Sequence, residues 1–224
     1  MKKALIIAHR GASYYEPENT LRSIKRALDY GADGIEFDVR SSIDGNLVVI
    51  HDETVDRTTD GTGKVRDMSI LELRSLDAGK GEKIPLLGEV LELVRDQALL
   101  AIELKIQGIE EQVLKIVEKH GELDNILINS FIHRSMKKVK ELNPEIKTGV
   151  IFRSAPVDPS RLALDAKANN LFAYYEYVTW EMVENAHDNG LNIYAWCVDE
   201  PSIIENLIML GVDGIVTNKP DIKI

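Results

Sequence analysis

Short apolar runs alternate along the chain with longer stretches of mixed polarity. Eight of these runs are rich in β-branched, Leu and aromatic residues, as expected of buried strands, and most of the stretches between them have helical patterns. Strands that alternate with helices predict βα units around a parallel sheet. The eight predicted strands are ALIIAH (4–9), GIEFDV (34–39), LLAIELK (99–105), NILINSF (125–131), KTGVIF (147–152), LFAYYE (171–176), LNIYAWCV (191–198) and DGIVTN (213–218).

Several predicted helices carry start and stop signals. Asp158-Pro159, and Asp199 with Pro201, are typical of an N-cap followed by a proline in the first turn. The join GADGIEF near the start recurs as GVDGIVT near the end, as expected of a repeated βα unit. Glycines stand where helices should stop, at Gly31, Gly121, Gly190 and Gly211.

Eight parallel strands in a chain of 224 residues favour a closed barrel over an open doubly wound sheet. One segment interrupts the alternation: approximately 52–87 is rich in Gly, Thr and charge, with one short helical piece near Leu71. A connection of this length is usually functional. We therefore predict an α/β fold, a (β/α)8 TIM barrel in which residues 1–224 form a single catalytic domain. The small insertion follows the second barrel strand and caps the barrel mouth.

Composition limits the compartment. Hydrophobic residues make up 44% of the chain and charged residues 29%, a globular balance. The one cysteine, Cys197, excludes an internal disulfide, is consistent with a reducing compartment, and is interpreted as a small core residue. The N-terminal apolar run is broken by His9 and Arg10 before it reaches signal-peptide length. These features predict a cytoplasmic protein.

The net charge limits the partners. A formal charge of −10 argues against nucleic acid or an anionic membrane, because both bind a basic face. An anionic substrate would need local cations, either a bound metal or a few well-placed Arg and Lys side chains. We expect a small-molecule substrate, no nucleic acid and no stable membrane association. The oligomeric state stays open.

Polar residues fall at the predicted strand ends, where the chemistry of such barrels lies. Glu36 and Asp38 are two apart and therefore share one face of their strand. A buried pair of like charges would neutralise one member unless a cation lay between them. A single strand-end acid is often only a salt-bridged surface residue, but Glu103 ends the next barrel strand and adds a third carboxylate. Three carboxylates suit Mg²⁺ or Ca²⁺ better than zinc, and the choice between the two stays open.

A hairpin is predicted to bring a histidine to these acids. Asp44-Gly45 is a strong turn signal between two strand-like runs. If the turn is centred there, Asp38 lies opposite His51. A second histidine, His9, ends the first strand.

This set of residue types indicates one class of chemistry. Two histidines near a metal, with Arg10 and Lys105 at hand, are suited to acid–base chemistry on an anionic, oxygen-rich substrate. One histidine can remove a proton from the nucleophile while the other protonates the leaving oxygen. The metal polarises a phosphoryl oxygen. Phosphodiester cleavage needs all three groups.

The same residues belong to longer motifs. The stretch AHRGASYYEPENTLRSIKRALDYGADGIEFDVRSSIDGNLVVIHDETVDRTTDGTGKV closely resembles the glycerophosphodiester phosphodiesterase family, and IELK, SF, YAWCV and GVDGIVTNKP continue the match. The resemblance covers essentially the whole chain. It implies a (β/α)8 barrel with a small insertion after the second strand. It also implies hydrolysis of glycerophosphodiesters to glycerol 3-phosphate and an alcohol.

The resemblance also implies roles for nine residues. The two aromatic residues among them could equally belong to the core, where strand aromatics are common. By resemblance the nine divide into an acid–base pair (His9 and His51), ligands of a divalent cation (Glu36, Asp38 and Glu103), phosphate contacts (Arg10 and Lys105) and pocket walls (Phe131 and Trp196).

Two further features accompany the resemblance. In PENT, Glu18 and Asn19 are expected to order the first loop, with Thr20 capping the helix. The family commonly closes on Thr-Asp-x-Pro, whereas this chain has Thr217-Asn218-Lys219-Pro220 and so lacks an acid at the last strand end.

Three other functions compete with this prediction. A phospholipase D-like activity on lysophospholipids would need an apolar approach for acyl chains, and the insertion is polar. A catalytically silent glycerophosphate-binding barrel would have lost a histidine or a metal acid, and all are present. A phosphosugar isomerase or lyase would carry a Gly-rich phosphate loop after the last strands, and DGIVTNKPDIKI does not offer one. The leaving alcohol, and attack by water or through a cyclic phosphate, stay open.

Overall fold

A computed structural model describes residues 3–120 and 123–222, and its centre is a closed ring of eight parallel strands. Pairing of the first strand with both the second and the last closes the ring, which confirms the predicted barrel. One extra strand pairs antiparallel with the second. The strands are β1 (Leu5–His9), β2 (Gly34–Ser41), β3 (Leu47–Val49, the extra strand), β4 (Leu99–Leu104), β5 (Ile126–Ser130), β6 (Lys147–Phe152), β7 (Asn170–Tyr174), β8 (Asn192–Trp196) and β9 (Gly214–Thr217).

Helices lie between successive barrel strands, as the alternation predicts. No helix within the ranges 3–120 and 123–222 combines the length and the apolar character needed to cross a bilayer. The helices are α1 (Leu21–Asp29), α2 (Ile70–Ser75), α3 (Leu87–Val94), α4 (Glu110–His120), α5 (His133–Leu142), α6 (Pro159–Asp165), α7 (Trp180–Asp188) and α8 (Pro201–Leu210).

Most helix signals act as predicted. Thr20 caps α1 and Asp158 caps α6, where Pro159 takes the first helical position. The prediction for Asp199 was wrong: Glu200 occupies the N-cap position of α8, and the Asp199 carboxylate instead binds the end of β9. Three of the four predicted stop glycines take a positive φ just past a helix, at Gly31, Gly190 and Gly211, while Gly121 lies outside the described residues.

Two aromatic rings and several aliphatic side chains fill the inside of the barrel. Phe172 and Tyr194 stack with their ring centroids 4.8 Å apart. Gly149 and Gly214 leave room for them, since a Cβ atom on Gly149 would lie 2.6 Å from Phe172 Cε2. The interior is therefore packed, and the C-terminal mouth is the end at which a ligand can be held.

The hairpin between β2 and β3 has a different register from the predicted one. Its loop has three residues, 43–45, closed by Ser42 N donating to Asn46 O at 2.9 Å, and Gly45 takes φ +78°. This longer loop shifts the pairing by one residue. Asp38 pairs with Ile50, not with His51, and Ile50 N donates to Asp38 O at 3.0 Å.

The segment that follows the hairpin has an apolar cluster of its own. Its short helix α2 is the helical piece predicted near Leu71, and it begins with a capping box between Ser69 and Glu72. The segment contacts the first loop, because Lys80 Nζ lies 2.7 Å from Glu16 Oε2. The cluster comprises Val48, Ile50, Val55, Val65, Leu73, Ala78 and Ile84.

Candidate active site

Three inward-facing acids form a cluster at the mouth. Glu36 and Asp38 come from β2, and Glu103, which is in register with Asp38, comes from β4. One carboxylate oxygen of each lies within 4.8 Å of the other two. Glu36 Oε1 and Asp38 Oδ1 are buried and accept no hydrogen bond from the described residues. Buried carboxylate oxygens that accept no hydrogen bond, in this arrangement, fit a hard divalent cation.

The three acids have different pKa values. Burial raises the pKa of Glu36 well above its ordinary value, and the charges of Asp38 and Glu103 add to the effect. Burial and Asp38 likewise raise the pKa of Glu103. Burial also opposes ionisation of Asp38, but Arg10 and Lys105 outweigh it and lower that pKa. A bound cation would favour the ionised form of all three.

Arg10 lies directly against the acids. It follows β1 with φ +55°, and its backbone N donates to Glu36 Oε2 at 3.0 Å. Its guanidinium Nε lies 3.3 Å from Asp38 Oδ2, and Nη1 donates to Glu18 Oε1 at 2.8 Å. The positive charge is therefore held at the rim of the acidic cluster, where an anionic substrate would meet it.

Lys105 provides a second cation on the other side of the cluster. Its Nζ lies 2.6 Å from Glu103 Oε1 and 3.5 Å from Asp38 Oδ1. The structure thus brings both predicted phosphate contacts to the acids.

His9 is oriented by an amide and a carboxylate behind it. Its Nδ1 lies 2.7 Å from Asn218 Oδ1, and Asn218 Nδ2 donates to Asp199 Oδ2 at 2.7 Å. A carboxylate can only accept, so the amide NH₂ faces Asp199 and the amide oxygen faces His9. His9 therefore carries its proton on Nδ1, which leaves Nε2 free, 3.9 Å from Glu36 Oε2.

His51 is oriented by the next residue in the chain. Its Nδ1 lies 2.6 Å from Asp52 Oδ1. Burial lowers the pKa of His51 and so favours the neutral ring, although the negative charge of Asp38 acts in the opposite direction. The insertion supports this pair, because Arg57 Nε donates to Asp52 Oδ2 at 2.7 Å.

Two residues of the PENT motif do more than order a loop. Asn19 Nδ2 donates to Asp38 Oδ2 at 2.8 Å, so it holds one of the clustered acids in place. Glu18 accepts a hydrogen bond from Arg10. It also accepts one from each terminal guanidinium nitrogen of Arg57, both at 2.7 Å. The spacing of the motif carries no signal for these contacts.

A cavity of about 280 Å³ lies over the acids. Eight of the nine predicted site residues line it, and the ninth, Asp38, belongs to the acidic cluster beneath. A larger cavity of about 510 Å³ beside α3 and α4 contains none of them. The lining residues are His9, Arg10, Glu36, His51, Glu103, Lys105, Asn129, Phe131, Ile151, Arg153, Phe172, Trp196 and Val216.

The two predicted aromatic residues both line the cavity, and Trp196 also packs against the apolar cluster inside the barrel. Phe131 is 46% exposed, and its ring meets Trp196 edge to face with centroids 5.4 Å apart. Tyr174 meets the other side of Trp196 at 5.3 Å. Trp196 Nε1 donates to Phe172 O at 3.0 Å, which fixes the indole.

Sequence reasoning missed several residues of the cavity. Asn129 of β5 lines the cavity, whereas Oγ of the adjacent Ser130 donates to Leu104 O. Arg153 was also missed. It lies one residue beyond the end of β6 and two residues after the inward-facing Ile151, so the two-residue period of a strand places it on the inner face. Cys197, expected in the core, lies 3.4 Å from His9 Nδ1.

Comparisons with known proteins agree on one family. The model of the glycerophosphoryl diester phosphodiesterase family matches residues 9–222. A glycerophosphodiester phosphodiesterase of Caldanaerobacter subterraneus subsp. tengcongensis is 43% identical over 98% of this chain and 96% of its own. One from Bacillus altitudinis is 38% identical over 96% of this chain and 95% of its own.

A solved structure extends the similarity to three dimensions. An Oleispira antarctica phosphodiesterase in complex with the product sn-glycerol-3-phosphate is 30% identical. It superposes with a TM-score of 0.91 and covers 97% of this chain and 94% of its own. The chain belongs to the glycerophosphoryl diester phosphodiesterase family of enzymes.

Proposed function

We propose that this chain hydrolyses glycerophosphodiesters to sn-glycerol 3-phosphate and an alcohol. The observation that carries the proposal is the buried cluster of three acids beside two histidines, each held through Nδ1 by a neighbouring side chain. The product bound to the Oleispira relative supports the same substrate class. The single cysteine suits a reducing compartment, and we place the reaction in the cytoplasm.

A divalent cation fits the acidic cluster. Glu36, Asp38 and Glu103 would hold Mg²⁺ or Ca²⁺, whose bound charge would polarise a phosphoryl oxygen and stabilise the transition state. Glu36 Oε1 supports this assignment, because it is buried without a hydrogen-bond donor, and a buried charged oxygen without a partner is otherwise costly.

Arg10 and Lys105 bind the phosphate. Both side chains are mostly buried, 16% and 12% exposed, beside the acids. Their guanidinium and ammonium groups donate to the non-bridging phosphate oxygens and orient the diester over the cluster.

His9 and His51 move the protons. One removes a proton from the nucleophile, which is either water or a hydroxyl of the substrate whose cyclic phosphate water then opens, while the other donates a proton to the departing alcohol oxygen. In each ring the fixed Nδ1 leaves Nε2 for this work.

The test is release of glycerol 3-phosphate by purified protein from glycerophosphoglycerol, glycerophosphoethanolamine and glycerophosphocholine. We expect release that EDTA abolishes and that Mg²⁺ or Ca²⁺ restores. The matched variant Glu103→Gln keeps the size of the side chain but removes a charge from the cluster, so it should require much more metal. Glu118→Gln, an exposed change on α4, is the control.

Two outcomes would contradict the proposal. Binding of a divalent ion without release of product under any condition would indicate a silent binding barrel. Turnover of lysophospholipids without turnover of deacylated diesters would indicate the phospholipase D-like activity.

A further inference from the structure

Two protein cations lie against a row of aromatic rings, Phe131, Trp196 and Tyr174, of which Phe131 and Trp196 line the cavity. Trp196 stands in the middle and meets both neighbours edge to face. Lys105 Nζ lies 5.8 Å from the Phe131 centroid at one end. Arg153 Cζ lies 4.2 Å from the Tyr174 centroid at the other.

Such a row differs from a pocket for a quaternary ammonium group. In those pockets free aromatic faces attract the cation of the ligand. Here Arg153 itself lines the cavity and covers the face of Tyr174, so a ligand cation would approach a positive charge. Within the described part of the chain, the acids that line the cavity are Glu36 and Glu103, and both belong to the metal-binding cluster. Glu176 lies near the Tyr174 hydroxyl at 3.5 Å but does not line the cavity.

An unused amide lies on the same side of the cavity. Asn129 is 1% exposed and stands next to Glu103 in the register of β4 and β5. Its Oδ1 is buried and accepts no hydrogen bond from residues 3–120 or 123–222. A buried amide oxygen without a partner is an acceptor suited to a ligand hydroxyl.

We propose that Arg153, together with Asn129, selects diesters whose alcohol half is anionic or rich in hydroxyl groups over those that carry a quaternary ammonium. The guanidinium donates to oxygen atoms of such an alcohol and repels a cationic one, and Asn129 accepts from a hydroxyl. This selection rests on the proposed function, because it assumes that the phosphodiester is held at the acidic cluster.

The experiment compares glycerophosphoglycerol with glycerophosphocholine. We expect the ratio of their kcat/KM values to favour glycerophosphoglycerol in the unaltered protein. Arg153→Gln should lower this ratio about threefold or more, mainly through KM, because the loss of one interaction between exposed charges changes affinity by about this factor. The preference should narrow at high salt, because screening weakens it.

Two variants separate charge from structure. Arg153→Lys keeps the charge and should retain most of the preference. Arg161→Gln removes an exposed arginine of α6 that pairs with Asp165 and does not line the cavity, so its ratio should be unchanged. An unchanged ratio in Arg153→Gln, or a preference for glycerophosphocholine in the unaltered protein, would overturn the inference.

A binding measurement distinguishes this inference from the proposed function. If neither diester is hydrolysed, the proposed function fails, and calorimetry then compares the binding of both diesters to the Mg²⁺-loaded protein. Stronger binding of glycerophosphoglycerol that Arg153→Gln removes supports the selection by Arg153. Equal or undetectable binding of the two diesters overturns it.

Discussion

Asn218 Oδ1 lies 2.7 Å from Nδ1 of His9, at the place where the resembling family commonly has an acid. An acid is nevertheless present nearby, because Asp199 contacts Asn218 on the side away from His9. Asp199 accepts from the Asn218 backbone N at 2.8 Å and from the side-chain Nδ2 at 2.7 Å. Ser13 Oγ donates to the same amide oxygen as His9. The amide thus passes the orientation imposed by a carboxylate on to the imidazole.

Replacing Asp199 by Asn should allow the side-chain amide of Asn218 to turn and so disturb the orientation of His9. An amide at position 199 can donate to Asn218, so the Asn218 side chain can turn and present its NH₂ group to His9. We expect kcat to fall by about 10- to 100-fold, as for other residues that orient catalytic side chains. KM should change little, because Asp199 does not line the cavity. Asp165→Asn on the surface is the control, and a kcat within twofold of the unaltered value would contradict the relay.

Arg57 joins the two sides of the site from within the insertion. It contacts Asp52, the partner of His51, and Glu18, the partner of Arg10. Arg57→Ala should therefore misplace both His51 and Arg10, the proposed phosphate contact. We expect kcat/KM to fall by about 10- to 100-fold, with kcat and KM both affected. Steady-state kinetics on glycerophosphoglycerol measure it.

Two variants check this positioning role. Arg57→Lys retains the charge but cannot form the two-sided contact of a guanidinium, so it should recover only part of the activity. Arg66→Ala removes a neighbouring exposed arginine of the insertion whose ion-pair partner is Asp67, at 3.8 Å, and should leave the kinetics unchanged. Full activity in Arg57→Ala would show that the insertion does not position the site.

Removal of either proposed acid–base group should slow turnover strongly. His9→Ala and His51→Ala should each lower kcat by about 10²-fold or more, because each loses one proton transfer. Circular dichroism should show an unchanged fold. His120→Ala, at an exposed position of α4, is the control, and a near-normal rate in either variant would remove that histidine from the mechanism.

Gly149→Ala should destabilise the barrel. The added methyl group would lie 2.6 Å from Phe172 Cε2, and Phe172 cannot move freely because it stacks on Tyr194. We expect the free energy of unfolding to fall by about 1–3 kcal/mol. Gly88→Ala in α3 is the matched control, since its Cβ would meet only His120 at 3.8 Å. Equal stability of the two variants in urea would contradict the packing argument.

Local patterns were sufficient for the barrel and for most of the cavity. The two-residue period of a strand sets which side chains share a face, so Glu36 and Asp38 could be paired before any fold was known. The same period could also have identified Asn129 and Arg153, because each stands two residues before or after another inward residue. Sequence reasoning overlooked them because neither forms a charged pair within its own strand.

Turn geometry limited the prediction of the hairpin. Asp44-Gly45 correctly marked the turn, but a two-residue and a three-residue loop are both compatible with this dipeptide. In the structure the loop has three residues, so Asp38 pairs with Ile50 and His51 lies one residue beyond that pair. The His51 ring is oriented by Asp52, which Arg57 contacts in turn, and both of these residues lie in the insertion.

The sequence by itself determined the family, the eight strands and the nine residues expected at the mouth, because apolar periodicity and motif spacing are properties of neighbouring residues. Only the tertiary structure decided the contacts that orient them. Asn218 meets His9 across 209 positions of the chain, and Arg57 meets Glu18 across 39. Such contacts exist because β9 lies beside β1 in the closed barrel and the insertion packs on the first loop. Local patterns predict the closed barrel but do not specify which distant side chains then meet.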